Sequence, residues 1–374
     1  MIKMLLLSAL ALNIFTKQTW ALNVTYVTNT NSPTPFWEKT FAVANAAAKD
    51  LGITVTFVQG TGHRIYQARI IANISQQEVK PDLLIFTGHP QNALASFTLL
   101  EAAKIPFITL SNFKDDQSLP VVKQLGSPQQ RFKYWLAEDY NIQRQGSTLL
   151  IKTLLSRAKT TLSNTDELKV LALSGDFFSY SIQRSLALAS YLEQSNEAVL
   201  VQDIIAYWQA EDAKAKFKAL YKRHKGIEVV WSSSDVMAIG ALAGAKELGL
   251  VPNKDIFIGG FDWDDSAIKS IRDKQLSASV GGHYYSIAWL LVKIYDHFNG
   301  LLPFNDPMHS VNDSFAVIDH KNLNEYDAIN DMHKLSSVNF YCFSKTYTQN
   351  KHYDFSFTNL LKQHSTINKF SCPE

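Results

Sequence analysis

Two apolar segments in the middle of the chain each lead to an acidic residue. Asp235 follows the run IEVVW through a serine-rich turn, and Asp262 follows the run IFIGGF and precedes Trp263. An ionised carboxylate accepts hydrogen bonds from hydroxyl groups, and an indole ring offers an apolar face. Side chains of these types could line a site for a neutral, polyhydroxylated ligand.

Both acids belong to one predicted strand–helix–strand unit, residues 227–265. IEVVW has the length and β-branched content of a buried strand, the serines before Asp235 can cap a helix, and Gly249 ends that helix. A unit of this kind favours a right-handed crossover and a parallel sheet. Ligand groups collect at the carboxyl ends of parallel strands, which is where both acids stand.

The alternation of strands and helices occurs in two series. The first runs over 22–110 and the second restarts at 168, after a predicted connection at 111–126 and a predicted long helix at 132–156. Two successive series predict an α/β protein with two similar doubly wound parallel-sheet lobes. The cleft between the lobes is the expected ligand site.

Residues 1–21 have the pattern of an export signal. Lys3 precedes a short apolar core, and the small residues Thr19 and Ala21 predict cleavage after Ala21. A membrane anchor is the alternative, but a core of about 12 apolar residues is shorter than the roughly 20 needed to cross a bilayer. We therefore expect a mature protein that begins at Leu22 and works outside the cytoplasm.

The cysteines agree with export. Cys342 and Cys372 are the two cysteines of the chain, and both lie in its C-terminal tail. An even pair in an oxidising compartment is a disulfide candidate, with two free thiols as the alternative.

Several function classes lack support in the sequence. The formal net charge is +2, and loss of Lys3 and Lys17 with the signal removes it, so nothing favours nucleic acid or an anionic membrane as partner. The glycine-rich GTGH and GGH lack the spacing of a phosphate loop, and no GxSxG or HExxH motif occurs. Asp262, Asp264 and Asp265 could pair as catalytic carboxylates, but the last two are placed to cap a helix. We expect a binding protein without cofactor or metal, not an enzyme.

Five stretches occur in the order seen in one known family. TPFWEKTFAVANAAAKDLG resembles a first ligand loop and helix, and KPDLLIFTG with EAAKIPFITLSN resembles the segment before a first hinge. SSSDVMAIGALAGAKELG and IGGFDW resemble two ligand loops of a second lobe. The family is that of the periplasmic sugar-binding proteins of the type I fold, the ribose-binding proteins and their relatives. The resemblance covers about 22–299.

The resemblance implies lobes that close on a sugar, with aromatic rings on its faces and polar groups at its hydroxyls. It also implies a periplasmic monomer whose chain passes repeatedly between the lobes. The expected parts are an N-terminal lobe of 22–112 and 283–310, a C-terminal lobe of 113–282 and 311–321, and an extension of 322–374.

Residue types and matched positions together predict a ligand-binding set. Its members are Thr34, Phe36, Trp37, Asn112, Arg184, Trp208, Ser234, Asp235, Asp262, Trp263 and His283. Three places depart from the family pattern and argue against ribose. Ser111 and Asn112 stand where an acidic–basic pair is usual, Ser234 replaces an asparagine, and Gly282 stands where ribose binders present an amide, beside His283.

Most of these residues have a structural alternative. Phe36 could belong to a core, and Asp235 could only cap its helix. Arg184 could be a solvated helix residue, and His283 could serve the hinge or cap a helix. The tryptophans Trp208 and Trp263 could be packed aromatics.

Two functions follow from the resemblance. The protein could deliver its sugar to the membrane permease of an ATP-driven importer, or its liganded form could signal to a membrane histidine kinase or chemoreceptor. Both use closure stabilised by the ligand. A cytoplasmic sugar-responsive repressor shares the core, but the export signal and the lack of a helix-turn-helix argue against it. The tail at 322–374 could be a docking surface or a strap on the first lobe.

Overall fold

The structure is a computed structural model of the chain, and the residues that it describes are 21–30, 34–60, 63–111, 113, 120–139, 143–162, 167–177, 179–301, 304, 315–365 and 372. The predicted export signal, apart from Ala21, and the predicted ligand residue Asn112 lie outside these ranges. Within them, no helix has both the length and the apolar character needed to cross a membrane.

The first lobe is built on a parallel sheet. Its strands, within the described ranges, stand in the order β2-β1-β3-β4-β5. They are β1 (Leu22–Thr28), β2 (Ile53–Gln59), β3 (Leu83–Phe86), β4 (Phe107–Thr109) and β5 (Trp135–Glu138). All four residues of β3 are buried, as expected for a strand that is covered on both faces.

The second lobe is built on another sheet, with the order β11-β10-β9-β8-β6-β7 in the described part of the chain. Its strands are β6 (Leu168–Ser174), β7 (Ala198–Ile205), β8 (Val229–Ser232), β9 (Phe257–Phe261), β10 (Ala278–Gly281) and β11 (Ala316–Asp319). Among these described strands, β11 pairs antiparallel with β10, and the other pairings are parallel. The predicted α/β class with two sheets is confirmed.

Helices alternate with the strands in both lobes. They are α1 (Pro35–Leu51), α2 (Arg64–Gln76), α3 (Pro90–Ala103), α4 (Pro120–Leu125), α5 (Gln143–Thr161), α6 (Ser179–Ser195), α7 (Ala210–Arg223), α8 (Asp235–Glu247), α9 (Asp265–Arg272), α10 (Ser286–Phe298), α11 (Leu323–Asn330), α12 (Lys345–Thr348) and α13 (Phe357–Ser365). Although α10 follows a strand of the second sheet, it packs on α1 of the first lobe. The chain therefore passes between the lobes after β5, after β10 and between α10 and β11.

The start of α1 is fixed by its local sequence. The Thr34 side chain accepts a hydrogen bond from the backbone N–H of Trp37 at 3.5 Å, and Pro35 occupies the first turn. Proline suits that position because its missing N–H would have no partner inside the helix. Phe36 and Trp37 are thereby held in the first turn of α1, at the cleft end of the first lobe.

The boundary predicted at residue 112 is wrong for the segment that contains β5. This strand pairs with β4 in the first sheet, and the indole of Trp135 donates a hydrogen bond to Thr109 Oγ1 at 3.1 Å. The predicted helix at 132–156 is correspondingly wrong at its start, since α5 begins at Gln143. The short run WLAE has no alternating pattern, and the partners that make it a strand lie far away in sequence.

The chain after β11 forms a strap that crosses from the second lobe to the first. This C-terminal strap, residues 323–365 with Cys372, runs through α11, turns at Met332–Ser337 and Phe340–Phe343, α12 and α13. Both turns pack against α1, and the second also packs against α10. Of the two roles left open for the tail, the structure shows packing on the first lobe.

Two residues of α10 fasten the strap. Asp296 is fully buried, and its carboxylate accepts hydrogen bonds from the backbone of Lys345 and Thr346 and from the hydroxyl of Tyr353, at 2.7 to 3.0 Å. Trp289 packs against three strap rings, at centroid distances of 4.8 to 5.8 Å. These are the rings of Phe340, Phe343 and Phe355. The strap thus completes the core of the first lobe.

The predicted disulfide is present. Cys342 and Cys372 are bonded, with their Cα atoms 5.4 Å apart. The bond ties the end of the chain to the turn that packs on α1 and α10.

Candidate functional site

Asp262 stands at the carboxyl end of β9 in an unusual backbone conformation. Its φ is +111°, and that of Trp263 is +57°. Residues other than glycine rarely adopt this region, and those that do are concentrated at functional sites. The two adjacent side chains have different environments. That of Asp262 is 13% exposed and faces Arg184, whereas Trp263 is fully buried.

Arg184 of α6 is a buried cation beside Asp262. Its Nε donates to Gln143 Oε1 and its Nη1 to the backbone oxygen of Ser233, each at 2.7 Å. Its Nη1 also lies 4.0 Å from Asp262 Oδ1, and the guanidinium carbon lies 4.2 Å from the ring centroid of Phe261. Burial lowers the pKa of Arg184, and the Asp262 carboxylate opposes that change. The alternative of a solvated helix residue is therefore wrong.

The charge on Asp262 is set by burial and by two cations. Burial raises the pKa of its carboxyl to about 6, while Arg184 and Lys39 act to lower it. At neutral pH the carboxylate is mainly ionised and can accept hydrogen bonds. Asp262 and Arg184 thus place a strong acceptor and a strong donor side by side with little net charge.

His283 lies between aromatic rings of the two lobes, at the second hinge. Its imidazole stacks on Phe36 at 4.8 Å and packs against Phe315 at 4.8 Å. Its Nε2 lies 3.3 Å from Arg184 Nη2 and 3.5 Å from Asp262 Oδ1. Burial and the Arg184 charge lower the pKa of His283 well below its usual value, so the ring is neutral at pH 7. Phe315, which no sequence motif marked, is thereby part of the site.

The aromatic pair at the start of α1 divides between two environments. Phe36 is half-buried and contacts the ring of His283 at the site. Trp37 packs instead against Tyr26 and Phe41, at centroid distances of 6.4 and 5.9 Å, inside the first lobe. Phe36 is therefore the member of the pair that the structure brings to Arg184 and Asp262.

Trp208 forms a second aromatic surface, near the amino end of α7. Its backbone is left-handed with φ of +61°, and its indole N–H donates to Asp176 Oδ2 at 2.7 Å. The ring lies directly over Gly175, where an added Cβ would stand 1.9 Å from the indole. Only glycine fits at that position. Asp176 follows β6, so the strand-end rule that selected Asp262 could also have selected it.

Trp263 was predicted to line the site, and its burial contradicts this. The ring has no exposed surface and packs against Tyr284, Tyr326 and Phe357, at centroid distances of 5.1 to 6.5 Å. The positive φ at Asp262 and Trp263 turns the indole into the interior beneath the strap. This turn cannot be read from the order of residues alone.

Ser234 and Asp235 are buried behind the site, and Thr34 is an exposed helix cap. Ser234 caps α8 by accepting a hydrogen bond from the N–H of Met237 at 3.3 Å. Asp235 is fully buried, and its Oδ2 accepts from the Asp264 N–H at 2.9 Å and from Ser279 Oγ at 2.7 Å. Thr34 caps α1. The cap of α8 is therefore Ser234, and the Asp235 carboxylate instead holds the loop after Asp262 and the side chain of Ser279.

At the first hinge, the hydroxyl of Ser111 is hydrogen-bonded within its own lobe. Its Oγ accepts a hydrogen bond from the Gly88 N–H at 2.5 Å and donates to the Gly88 backbone oxygen at 3.1 Å. The charged pair of Asp262 and Arg184 belongs to the second lobe. The first lobe contributes the ring of Phe36 and the ammonium of Lys39.

Lys39 is a site residue that sequence reasoning missed. It lies on α1, is nearly fully buried, and donates to the backbone oxygen of Trp263 at 2.5 Å and to Asn330 Oδ1 at 2.9 Å. It also pairs with Asp265 at 2.9 Å. A lysine in the middle of an amphipathic helix gives no sequence signal for such contacts, because its partners come from the other lobe and the strap.

Comparison with known proteins gives one family and partial sequence matches. A family model described as a periplasmic binding protein domain matches residues 25–298. The ribose import binding protein RbsB of Bacillus subtilis (strain 168) is 41% identical over 61 residues, which are 16% of this chain. The match spans only 19% of that relative's length.

Solved structures resemble the chain over most of its length. A periplasmic sugar-binding protein from Pseudomonas fluorescens has a TM-score of 0.77 at 23% identity, over 91% of this chain and 99% of the other. The binding protein of an arabinose ABC transporter from Shewanella sp. ANA-3, bound to L-arabinofuranose, has a TM-score of 0.67 at 16% identity, over 89% and 100%. At these identities the likeness shows the fold, and it confirms the predicted two-lobed architecture.

Proposed function

The chain belongs to the periplasmic binding protein family, and we propose that it closes its two lobes on a neutral sugar or sugar-like molecule. One observation carries the proposal. The carboxylate of Asp262 is held by a strained backbone beside the guanidinium of Arg184, at the point where Phe36 reaches across from the first lobe.

The chemistry of the site suits a sugar. A sugar ring has apolar C–H faces and hydroxyl edges, so it is bound by aromatic surfaces and by strong donors and acceptors. Phe36 and Trp208 supply half-buried aromatic surfaces. Asp262 can accept from hydroxyl groups while Arg184 orients it.

The charge balance favours a neutral ligand. Arg184 is already matched by Asp262 at 4.0 Å. A phosphorylated ligand would need further positive charge, whereas a neutral ligand leaves the pair intact. Ribose is named for one similar protein and L-arabinofuranose for another, which makes both sugars first compounds to test.

Delivery to a membrane permease is the second part of the proposal. Residues 1–21 would direct export, and the mature monomer would carry the sugar in the periplasm to an ATP-driven importer. Closure stabilised by the ligand would present a surface made of both lobes, which a permease can distinguish from the open form. The family as a whole is one of binding proteins, in agreement with the lack of a catalytic motif.

Ligand binding is tested with a thermal-shift screen of the chain from Leu22 onward. The panel contains D-ribose, L-arabinose, D-galactose, D-allose, D-glucose and myo-inositol. A ligand at 100 times its dissociation constant adds about 2.7 kcal/mol to the free energy of unfolding, which is readily measured. Stabilisation by one or more of these compounds is expected. The absence of a shift with every compound would overturn the sugar assignment.

The site is tested with Asp262→Asn and with the matched surface control Asp273→Asn. Hydrogen bonds to a charged group contribute about 1.5–3 kcal/mol, so Asp262→Asn should weaken binding by about tenfold or more. Asp273→Asn should bind as the wild type does. Wild-type affinity in Asp262→Asn would reject the site.

Transport is tested by uptake of the labelled sugar into cells that lack the gene. Loss of uptake, restored by the wild type and not by Asp262→Asn, supports delivery to an importer. Normal uptake with loss of a sugar-dependent transcriptional or chemotactic response would instead support signalling through a membrane kinase or chemoreceptor.

A further inference from the structure

The residue that follows Asp262 is held by the C-terminal strap. The indole of Trp263 lies 5.1 Å from the ring of Tyr326 and 5.6 Å from that of Phe357, both of which belong to the strap. The Phe357 ring also covers the second hinge, since a Cβ added at Gly282 would stand 2.2 Å from its Cζ. The strap therefore reaches the ligand loop and the hinge at the same place.

Polar contacts fix the same loop from its other sides. The N–H of Asp262 donates to the backbone oxygen of Val280 at 2.8 Å. The backbone N–H of Trp263 donates to Ser279 Oγ at 3.3 Å. The indole N–H of Trp263 donates to the backbone oxygen of Ser279 at 3.2 Å. Lys39 donates to the carbonyl of Trp263. With these contacts made inside the lobes, the strap rings close the remaining face of the indole.

We infer that Phe357 and Tyr326 are positioning residues for Asp262. A left-handed backbone at two successive residues is unfavourable on its own and persists where surrounding contacts impose it. Burying the indole beneath the strap supplies such a contact, because release of Trp263 would let φ relax and turn the Asp262 carboxylate away from Arg184. The strap lies beyond residues 25–298, which match the family model. It is thus a support for the ligand loop from outside the common domain.

The inference rests on the proposed function only in treating Asp262 as a ligand residue. Its first test needs no ligand. Hydrogen–deuterium exchange is measured at the amides of Asp262, Trp263 and Asp264 in the wild type, in Phe357→Leu and in Phe355→Leu. The last variant is a matched control, because Phe355 belongs to the same strap but stacks on Trp289 of α10, at 4.8 Å and 12°.

We expect exchange at these three amides to be about fivefold faster in Phe357→Leu, as loss of aromatic contacts of this size permits. Exchange in Phe355→Leu should match the wild type there and rise instead near Trp289. Equal exchange in all three proteins, or equal acceleration in both variants, would overturn the inference. The first result would show that the ring does not hold the loop, and the second that it acts only through overall strap stability.

Tyr326 gives an independent test with a conservative variant. Tyr326→Phe keeps the ring and should leave exchange at Trp263 unchanged, whereas Tyr326→Leu should accelerate it. Acceleration in both variants, or in neither, would contradict a positioning role for the ring.

Binding of D-ribose and L-arabinose is then measured by calorimetry in the same variants. If the wild type binds either sugar, Phe357→Leu should bind it about fivefold more weakly and Phe355→Leu should not. If the wild type binds neither, these two sugars are excluded as ligands, while the exchange result still decides the inference. Faster exchange with unchanged sugar affinity would show that Asp262 is positioned but does not contribute to binding.

Discussion

The ammonium of Lys39, in the first lobe, donates a hydrogen bond of 2.5 Å to the backbone oxygen of Trp263, in the second lobe. It also donates to Asn330 of the strap and pairs with Asp265. The contact between Lys39 and the Trp263 backbone oxygen is nearly fully buried, so water does not weaken it. Because Trp263 follows Asp262, this ammonium connects the relative position of the two lobes with the position of the Asp262 carboxylate.

Lys39→Met is expected to destabilise the arrangement of the lobes seen here. The variant leaves the Trp263 carbonyl without this donor, and an unsatisfied buried group costs about 1–3 kcal/mol. The Asn330 amide oxygen keeps a hydrogen bond from the Tyr284 hydroxyl at 3.0 Å. We expect a lower free energy of unfolding in urea and a larger radius of gyration by X-ray scattering without ligand. Lys49→Met is the control, because Lys49 is exposed on the same helix. Unchanged scattering and stability in Lys39→Met would show that the contact does not hold the lobes together.

Asp264 should make the free energy of unfolding depend on pH. It is 1% exposed, and burial together with the Asp262 charge raises its pKa to about 8. The unfolded carboxyl has a pKa near 3.9, so the folded state binds more protons between about pH 4 and pH 8. Stability therefore falls as pH rises through that window, by up to about 1.4 kcal/mol per pH unit. Asp262, with its pKa raised to about 6, adds to the fall in the lower part of the window.

The pH effect is measured by urea unfolding at pH 5 to 9. Asp264→Asn should flatten the dependence in the upper part of the window, because the amide does not ionise. Asp273→Asn, in an exposed pair with Lys269, should leave it unchanged. The same slope in Asp264→Asn as in the wild type would assign the effect to other groups.

Breaking the disulfide should lower stability. The bond between Cys342 and Cys372 spans a separation of 30 residues in the sequence. A loop of that length contributes about 3–4 kcal/mol in the chain-entropy model. The double variant Cys342→Ser/Cys372→Ser should unfold at a lower urea concentration than the oxidised wild type. Dithiothreitol should lower the wild-type midpoint and leave that of the double variant unchanged. An effect of the reductant on both proteins would rule out the bond as its cause.

The buried ion pair between Lys293 and Asp139 tests the corrected lobe boundary. Lys293 Nζ of α10 lies 2.7 Å from Asp139 Oδ1, just after β5, and both side chains are nearly fully buried. Lys293→Met leaves a buried carboxylate without its cation, which costs about 3–5 kcal/mol. The double variant Lys293→Met/Asp139→Asn should recover part of that loss. Additive effects of the two substitutions would show that the residues are not coupled, contrary to β5 and α10 sharing one lobe.

Two of the site residues that sequence reasoning predicted share one property. Asp262 and Phe36 stand at the end of a strand and at the beginning of a helix, where local patterns mark both the element and its cleft end. Arg184 was predicted only from the resemblance to the family. The parts that sequence reasoning missed, such as Lys39 and Phe315, stand within elements or in segments without a motif. Their roles depend on partners in other elements of the chain, which local periodicity does not identify.

The sequence by itself determined the alternation of strands and helices, the two-lobe class and the one pair of cysteines that could form a disulfide. The first two follow from hydrophobic periodicity and helix caps, which act over a few residues. The third follows because two cysteines allow only one pair. Tertiary structure alone decided that β5 joins the first sheet, that the tail crosses to the first lobe, and that Asp262 and Trp263 face different ways. Each of these outcomes is set by contacts between distant segments and by backbone angles that such contacts impose. The local sequence therefore did not reveal them.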